Sequence, residues 1–294
     1  MQSTPSMAGK TCLVTGANQG IGKETAIGLA QRGATVVITS RDRARGEAAI
    51  NEIKQRTGNE DVSLMPVDFA SLASIRQFAA DFLAAHTQLH VLVNNAGAYN
   101  AMRTVTADGF ETTFGVNHLG YFLTTKLLLD AIKASAPARI VSVSSAAHAR
   151  ATMSFDDLHG ERSYGGFGAY GQSKLANVLF TYELSRQLEG TGVTANCLHP
   201  GVVRTGFGKN NSGIVRGFFA VFQTLGQPFL LTPEKGAQTS IYLASSPEVE
   251  GVTGKYFAKS REIPSNAASQ DREAASRLWE LSEQMTAAGA PAPA

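Results

Sequence analysis

The chain has 294 residues, enough for one large domain or two small ones around a substantial core. A hydrophobic content of 43% with 17% charged residues excludes a disordered chain, except at its ends. A formal charge of +2 leaves no electrostatic footprint for nucleic acid or for an anionic membrane surface.

Residues 10–15 (KTCLVT) form a short apolar run that ends at a glycine and reads as a buried strand. Over 20–32 the residues Ile21, Ala26, Ile27 and Ala30 recur with a helical period until Gly33 stops the run. A second strand spans 34–40, a polar helix 43–57 and a third strand 62–67. Ser71 caps a helix that runs to about residue 85, and a fourth strand spans 90–94. One long helix is expected over 110–134, a fifth strand over 139–144, a second long helix over 168–188 and a sixth strand over 193–199. A helix over 233–245 and a short strand over 255–258 follow. Apolar strands alternating with helices mean βαβ units, whose right-handed crossovers place helices on both faces of a parallel sheet. The expected architecture is a single doubly wound α/β domain with a sheet of about seven strands. It would occupy 10–260, after an N-terminal extension (1–9) and before a C-terminal helix and disordered tail (261–294). Two insertions interrupt it, at about 149–167 and 206–232.

Between the first strand and the first helix stands TGANQGIG, from Thr15 to Gly22. Glycines there permit a tight turn and let a pyrophosphate approach backbone N–H groups at a helix N-terminus. The candidate cofactor contacts are Gly16, Asn18, Gln19, Gly20, Ile21 and Gly22. The second strand ends Thr39-Ser40-Arg41-Asp42. An acid at that tip would bind a ribose 2′-OH, whereas an arginine accommodates a 2′-phosphate. Ser40 and Arg41 fill the tip and Asp42 follows, so NADP(H) is expected over NAD(H). The alternative is a solvated Arg41 with Asp42 turned back to the ribose.

Tyr170 and Lys174, in YGQSK, lie one helical turn apart on one face. A nearby ammonium favours the phenolate, which suits proton transfer near neutral pH. Alone, such a pair is usually a packed ring beside a solvated stem.

The order of motifs changes that. TGANQGIG, Asn94-Asn95-Ala96-Gly97 after strand four, Ser144-Ser145 after strand five, YGQSK, and Pro200-Gly201 after strand six all stand at strand ends. Together they resemble the short-chain dehydrogenases/reductases over nearly the whole chain. Finer phrases (PVDFASLASIR, VNHLGYFLTT, YGQSKLANVLFTYEL and HPGVVRT) resemble the retinol dehydrogenase and dehydrogenase/reductase branch. The resemblance implies a Rossmann fold and four catalytic positions. Tyr170 is the general acid/base, Lys174 holds the nicotinamide ribose and lowers the tyrosine pKa, Ser145 binds the substrate oxygen, and Asn117 shapes the long helix and holds a water. It further implies Asp68 and Phe69 beside the adenine, Asn95, Ala96 and Gly97 along the cofactor wall, and Val203 and Thr205 near the carboxamide. No metal is implied. Subunits of the family often pair through the two long helices, so a homodimer or tetramer is expected. Many members of the branch carry an N-terminal anchor, whereas MQSTPSMAGK has no apolar core, and a cytoplasmic setting is expected.

The remaining candidates carry less. Cys12 and Cys197 sit in apolar strands and read as buried reduced thiols. His86 and His90 straddle an element boundary, a poor arrangement for a metal. His148 either faces the substrate or fills its loop, and His199 is read as structural. Tyr164 is a decoy, since Gly168 stands where a lysine is needed. The apolar run 213–231 carries Arg216, Gln223, Gln227 and Pro228, which speak against a spanning helix. Phe218, Phe222, Leu225 and Phe229 recur at helical steps. That face packs on the body, closes as a lid over a hydrophobic substrate, or touches a membrane. The reading is an NADPH-preferring carbonyl reductase/alcohol dehydrogenase acting on a small hydrophobic carbonyl or alcohol, retinoid-like among the options. The rivals are a non-catalytic NADP(H)-binding sensor or scaffold, and an epimerase or dehydratase of the extended relatives.

Overall fold

A computed structural model describes residues 6–203 and 230–287. Strands β1 (Thr11–Val14), β2 (Thr35–Ser40), β3 (Val62–Pro66), β4 (Val91–Asn94), β5 (Ala138–Val143), β6 (Val193–Leu198), β7 (Tyr256–Ala258) and β8 (Arg261–Glu262) form one sheet. Their order is β3-β2-β1-β4-β5-β6-β7-β8. All neighbours are parallel except β7 and β8. The eighth strand, a two-residue antiparallel edge, has too little apolar sequence to announce itself.

Strand order reverses between β1 and β4, which opens a crevice at the C-terminal ends of those strands. Both faces of the sheet are covered, so its central strands are apolar throughout rather than alternating. One core packs Leu13, Leu92 and Ile140 against Ile75, Phe78 and Phe82 of α3 (Leu72–Ala85) and against Phe122 and Leu128 of α5 (Gly120–Ala134). The other packs Val14, Val36 and Val93 against Ala26 and Leu29 of α1 (Gly20–Ala30) and Leu243 of α7 (Pro233–Ser245). Phe78 and Phe82 are almost wholly enclosed, and truncating either to alanine would cost about 3–5 kcal/mol.

Local chemistry sets the helix starts. Asp42 caps α2 (Arg43–Thr57) by accepting from the Arg45 N–H, Ser71 caps α3 through Ser74 N–H, and Thr232 caps α7 through Lys235 N–H. The long helix expected over 110–134 is not one helix. Glu111 caps a single turn, α4 (Thr112–Phe114), by accepting from the Thr113 and Phe114 N–H groups. A π-turn over Gly115–Leu119 follows before α5 begins. The extra residue of a π-turn cannot be seen in an apolar period, because it only displaces the phase.

The second long helix, α6 (Gly166–Gln187), and the C-terminal helix, α8 (Arg272–Ala287), pack together. Trp279 of α8 stacks on Phe180 at 5.8 Å and meets Phe122 edge-on at 4.9 Å. No helix among the described residues is long and apolar enough to cross a membrane.

Candidate active site

The glycine turn joins β1 to α1 at the strand-order reversal. Gly16 and Gly20 hold φ near +61° and +59°, a region that side chains rarely enter. A Cβ on Gly16 would stand 2.8 Å from the Ala96 Cα, and one on Gly22 would stand 2.8 Å from the Gly16 carbonyl. The turn is therefore closed against its own backbone and against the loop after β4. Thr15 locks the two together: its hydroxyl accepts from the Asn95 N–H at 2.8 Å and the Ala96 N–H at 3.0 Å. The Asn95 amide returns a bond to the Thr15 carbonyl at 2.8 Å. Gln19 stands at the N-cap of α1 without a side-chain bond, Asn18 is half-buried, and Ile21 lies close to Gly236. The glycines fit a dinucleotide pyrophosphate because only residues without a Cβ let the turn close this tightly on the loop after β4, which leaves main-chain N–H groups at the start of α1 for an anion.

At the tip of β2, the Ser40 hydroxyl donates to the Asp42 carbonyl at 2.7 Å. Asp42 is committed to the α2 cap and to an ion pair with Arg45 at 3.1 Å. Arg41 is exposed. Asp68 accepts from the Ala70 N–H at 3.0 Å, and Phe69 packs against Gly120. Val203 pairs with Leu231 in a parallel bridge and presses on Gly236, while Thr205 lies outside the described residues.

The four candidate catalytic residues converge from three elements. Asn117, in the π-turn, accepts from the Ala98 N–H at 2.7 Å and donates to the Ala98 carbonyl at 3.0 Å. It also donates to the Ser173 hydroxyl at 3.0 Å, and that hydroxyl donates to the Tyr170 carbonyl at 2.8 Å. Lys174 is 3% exposed and donates to the Val143 carbonyl at 3.0 Å. Its ammonium lies 5.8 Å from the Tyr170 ring centre and 5.6 Å from that of Tyr121. A Cβ on Gly97 would stand 3.4 Å from the Asn117 Oδ1 and 3.8 Å from the Lys174 Nζ, so the loop after β4 meets these residues there. Ser145 hydrogen-bonds the Tyr170 phenol.

Burial dominates the electrostatics. It pushes the Tyr170 phenol up to about 12, with the Ser145 hydrogen bond pulling the other way. It pushes the Lys174 ammonium down to about 7. The expectation that Lys174 lowers the tyrosine pKa is therefore not what governs the free protein; enclosure is the larger influence on both groups.

Two residues to which the sequence assigned no role, Ser144 and Tyr99, join the site. Ser144 donates to the Lys174 carbonyl at 2.8 Å and ties α6 to β5. Tyr99 is buried edge-on to Tyr170 at 6.0 Å and touches the exposed Phe167 at 5.3 Å, forming an aromatic wall beside the phenol. Its place after NNAG was the available signal. Other candidates fall away from the chemistry. His148 is a loop pin, with Nδ1 2.7 Å from the Ser145 carbonyl and Nε2 accepting from the Asn266 N–H at 3.4 Å. His90 accepts from the Thr11 N–H, His199 from the Gly201 N–H, and Tyr164 donates to the Asn100 carbonyl. Both cysteines are buried and unpaired. Among the described residues no group of three or more His, Cys, Asp or Glu is placed to hold a metal. Phe218, Phe222, Leu225 and Phe229 lie outside the described residues.

Comparison with known proteins agrees with the fold and identifies the family. The sequence model described as short chain dehydrogenase matches residues 10–213. Human retinol dehydrogenase 14 is 46% identical over 95% of this chain and 87% of its own length. Human retinol dehydrogenase 13 is 47% identical over 98% and 88%. Among solved structures, an uncharacterised protein from Mycobacterium paratuberculosis superposes with a TM-score of 0.77 at 33% identity, covering 97% of this chain and 96% of the other. The Pseudomonas aeruginosa RhlG/NADP active-site complex superposes with a TM-score of 0.68 at 26% identity, covering 87% and 97%.

Proposed function

The chain belongs to the short-chain dehydrogenase family, and from that premise we propose that it is an NADPH-preferring oxidoreductase. It interconverts a hydrophobic aldehyde or ketone and its alcohol, with Tyr170 as general acid/base. The observation that carries this is the convergence of Asn117, Ser145, Tyr170 and Lys174 beside the glycine cradle. When bound, the nicotinamide supplies a hydride for reduction or accepts one for oxidation. The cradle from Gly16 to Gly22 and the wall Asn95-Ala96-Gly97 would hold the dinucleotide, with Lys174 at the ribose.

Tyr170 is a protonated phenol at neutral pH, which suits it to donate its proton to the substrate oxygen in reduction. Ser145 holds that oxygen and stabilises the charge developing on it. In oxidation Tyr170 must first lose its proton, so that direction gains with rising pH. Asn117 fixes the loop after β4 against α6, which keeps the donors in place before substrate arrives.

The preference for the 2′-phosphate is supported by Arg41, exposed at the strand tip, and by Asp42, whose carboxylate is already engaged. Hydrophobic substrates suit the Tyr99–Phe167 wall and agree with the alcohol in the relatives' names. Subunit pairing through α5 and α6 has to use the faces that α8 leaves uncovered, and light scattering reads the copy number.

The test follows nucleotide absorbance over aldehydes, ketones and retinoids with NADPH and with NADH. Hydrophobic carbonyls should turn over faster with NADPH, and Arg41→Ala should lower the NADPH/NADH efficiency ratio about tenfold. A flat trace across the panel with both nucleotides would replace the enzyme with a non-catalytic nucleotide-binding protein.

A further inference from the structure

His118 follows Asn117 in the π-turn and points the other way. Asn117 reaches Ala98 and Ser173, whereas His118 is fully buried against the C-terminal helix, its Nε2 2.8 Å from the Ser282 Oγ. The Ser282 proton is already spent on the Leu278 carbonyl at 2.7 Å. Its oxygen must therefore accept, which places the imidazole proton on Nε2. Burial pushes the imidazole down to about 3, so it stays neutral and the bond persists across the working pH range.

The ring is wedged among aromatics, 5.0 Å from Phe114 and 6.2 Å from Phe180. Asn177, one turn beyond Ser173 on α6, adjoins it. Asn177 interacts with the imidazole only weakly, and neither its amide atoms nor His118 Nδ1 reaches a partner within ordinary hydrogen-bond distance and angle. The buried polar group at this junction thus has one direct anchor to α8. Around it, Trp279 stacks on Phe180, Lys126 pairs with Glu283, and Arg76 donates to the Thr286 carbonyl. These contacts hold α8 across α3, α5 and α6. A π-turn is an interruption of the regular helical ladder, and its register is set by such side contacts.

We propose that the C-terminal helix is a working part of the catalytic centre: through the Ser282–His118 bond it positions the π-turn that carries Asn117. Ser282 and His118 are positioning residues, since neither touches the reacting atoms. The inference rests on the reading of Asn117 and Tyr170 given above. Loss of the bond releases the π-turn toward regular helix and swings the Asn117 amide away from Ala98 and Ser173, while the glycine cradle on the far side of β4 is untouched.

The test is a kinetic cycle on the full chain with NADPH and the best carbonyl found in the panel. Ser282→Ala should lower kcat about tenfold, with the KM for NADPH changed less than about twofold. Ser282→Thr, which keeps the hydroxyl, should restore most of kcat. In an Asn117→Ala background, Ser282→Ala should cost nothing further, because both act through one amide. Should Ser282→Ala not fold, His118→Gln and His118→Leu replace it: Gln keeps an N–H for Ser282 and should retain kcat, and Leu should lose it. Wild-type kcat in a folded Ser282→Ala or His118→Leu protein overturns the proposal. So does an equal loss of kcat and NADPH affinity, or full additivity with Asn117→Ala. A wild-type protein inert on the whole panel would instead overturn the function proposed for the site, which separates the two failures.

Discussion

The proposed nucleotide cradle and the proposed catalytic quartet lie side by side, yet they are made by opposite means. The cradle is made by absence: Gly16, Gly20 and Gly22 have no side chains, and the turn closes on main-chain atoms that a phosphate would meet. The quartet works by enclosure: Lys174 and Asn117 are polar groups held out of water, each tied to main-chain atoms. The first costs backbone entropy at each glycine and is intolerant of added atoms. The second costs folding free energy and returns it as fixed donors.

The sharpest way to break the comparison is Tyr170→Phe. It removes one oxygen and no packing, so kcat should fall by roughly 100- to 10,000-fold while NADPH affinity and melting temperature barely move. Retained reductase activity would refute the quartet outright. Gly22→Ala tests the other half. Its methyl would meet the Gly16 carbonyl and the Asn95 amide. Overpacking of about 1–3 kcal/mol should weaken NADPH binding roughly tenfold to a hundredfold. An unchanged dissociation constant would show that the turn is not where the nucleotide sits.

These two halves were also unequally legible in sequence. A backbone-built cradle writes itself into consecutive residues, because φ > 0 and close approach demand glycine at fixed places. Tyr170 and Lys174 were legible for a related reason, being one turn apart on one helix. The sheet followed from apolar runs, and only the two-residue β8 edge escaped. What was not legible depends on contacts between distant segments. His118 meets Ser282 across 164 positions, and Ser144 meets the Lys174 carbonyl across 30. Neither partner has a local pattern to announce it. The π-turn was lost for another reason: its one extra residue leaves every apolar position plausible for a continuous helix.

Lys174→Met sharpens the claim that the quartet is stabilised against its own chemistry. Turnover is lost in such a variant, so the readout is stability. The folded-state pKa of Lys174 lies near 7, well below the 10.5 of the unfolded chain. Below about pH 7 the protein must bury a full ammonium, and that burden is relieved as pH rises between the two values. Wild-type stability should therefore gain on going from about pH 6 to about pH 9 at this site, and Lys174→Met should remove the gain. The variant should melt several degrees above wild type at the lower pH, with a smaller difference at the higher one. A destabilised variant at the lower pH would mean that the bond to Val143 outweighs the desolvation.

Ser144→Ala carries the smallest expected effect and the finest distinction. The hydroxyl donates to the Lys174 carbonyl and so joins the end of β5 to the backbone of α6. Removing it leaves that carbonyl with its helical partner, so stability should fall by about 1 kcal/mol. The more telling measurement is the division between kcat and KM. A tie that merely holds two elements together would alter Tm alone. A tie that sets the height of Lys174 above Gly97 would raise the KM for NADPH and lower kcat together, by less than about tenfold, as the proposal that one side chain serves both ribose and phenol requires. A kcat loss with an unchanged KM for NADPH would separate those two services, and would leave Lys174 to the tyrosine and the ribose to the Gly97 wall.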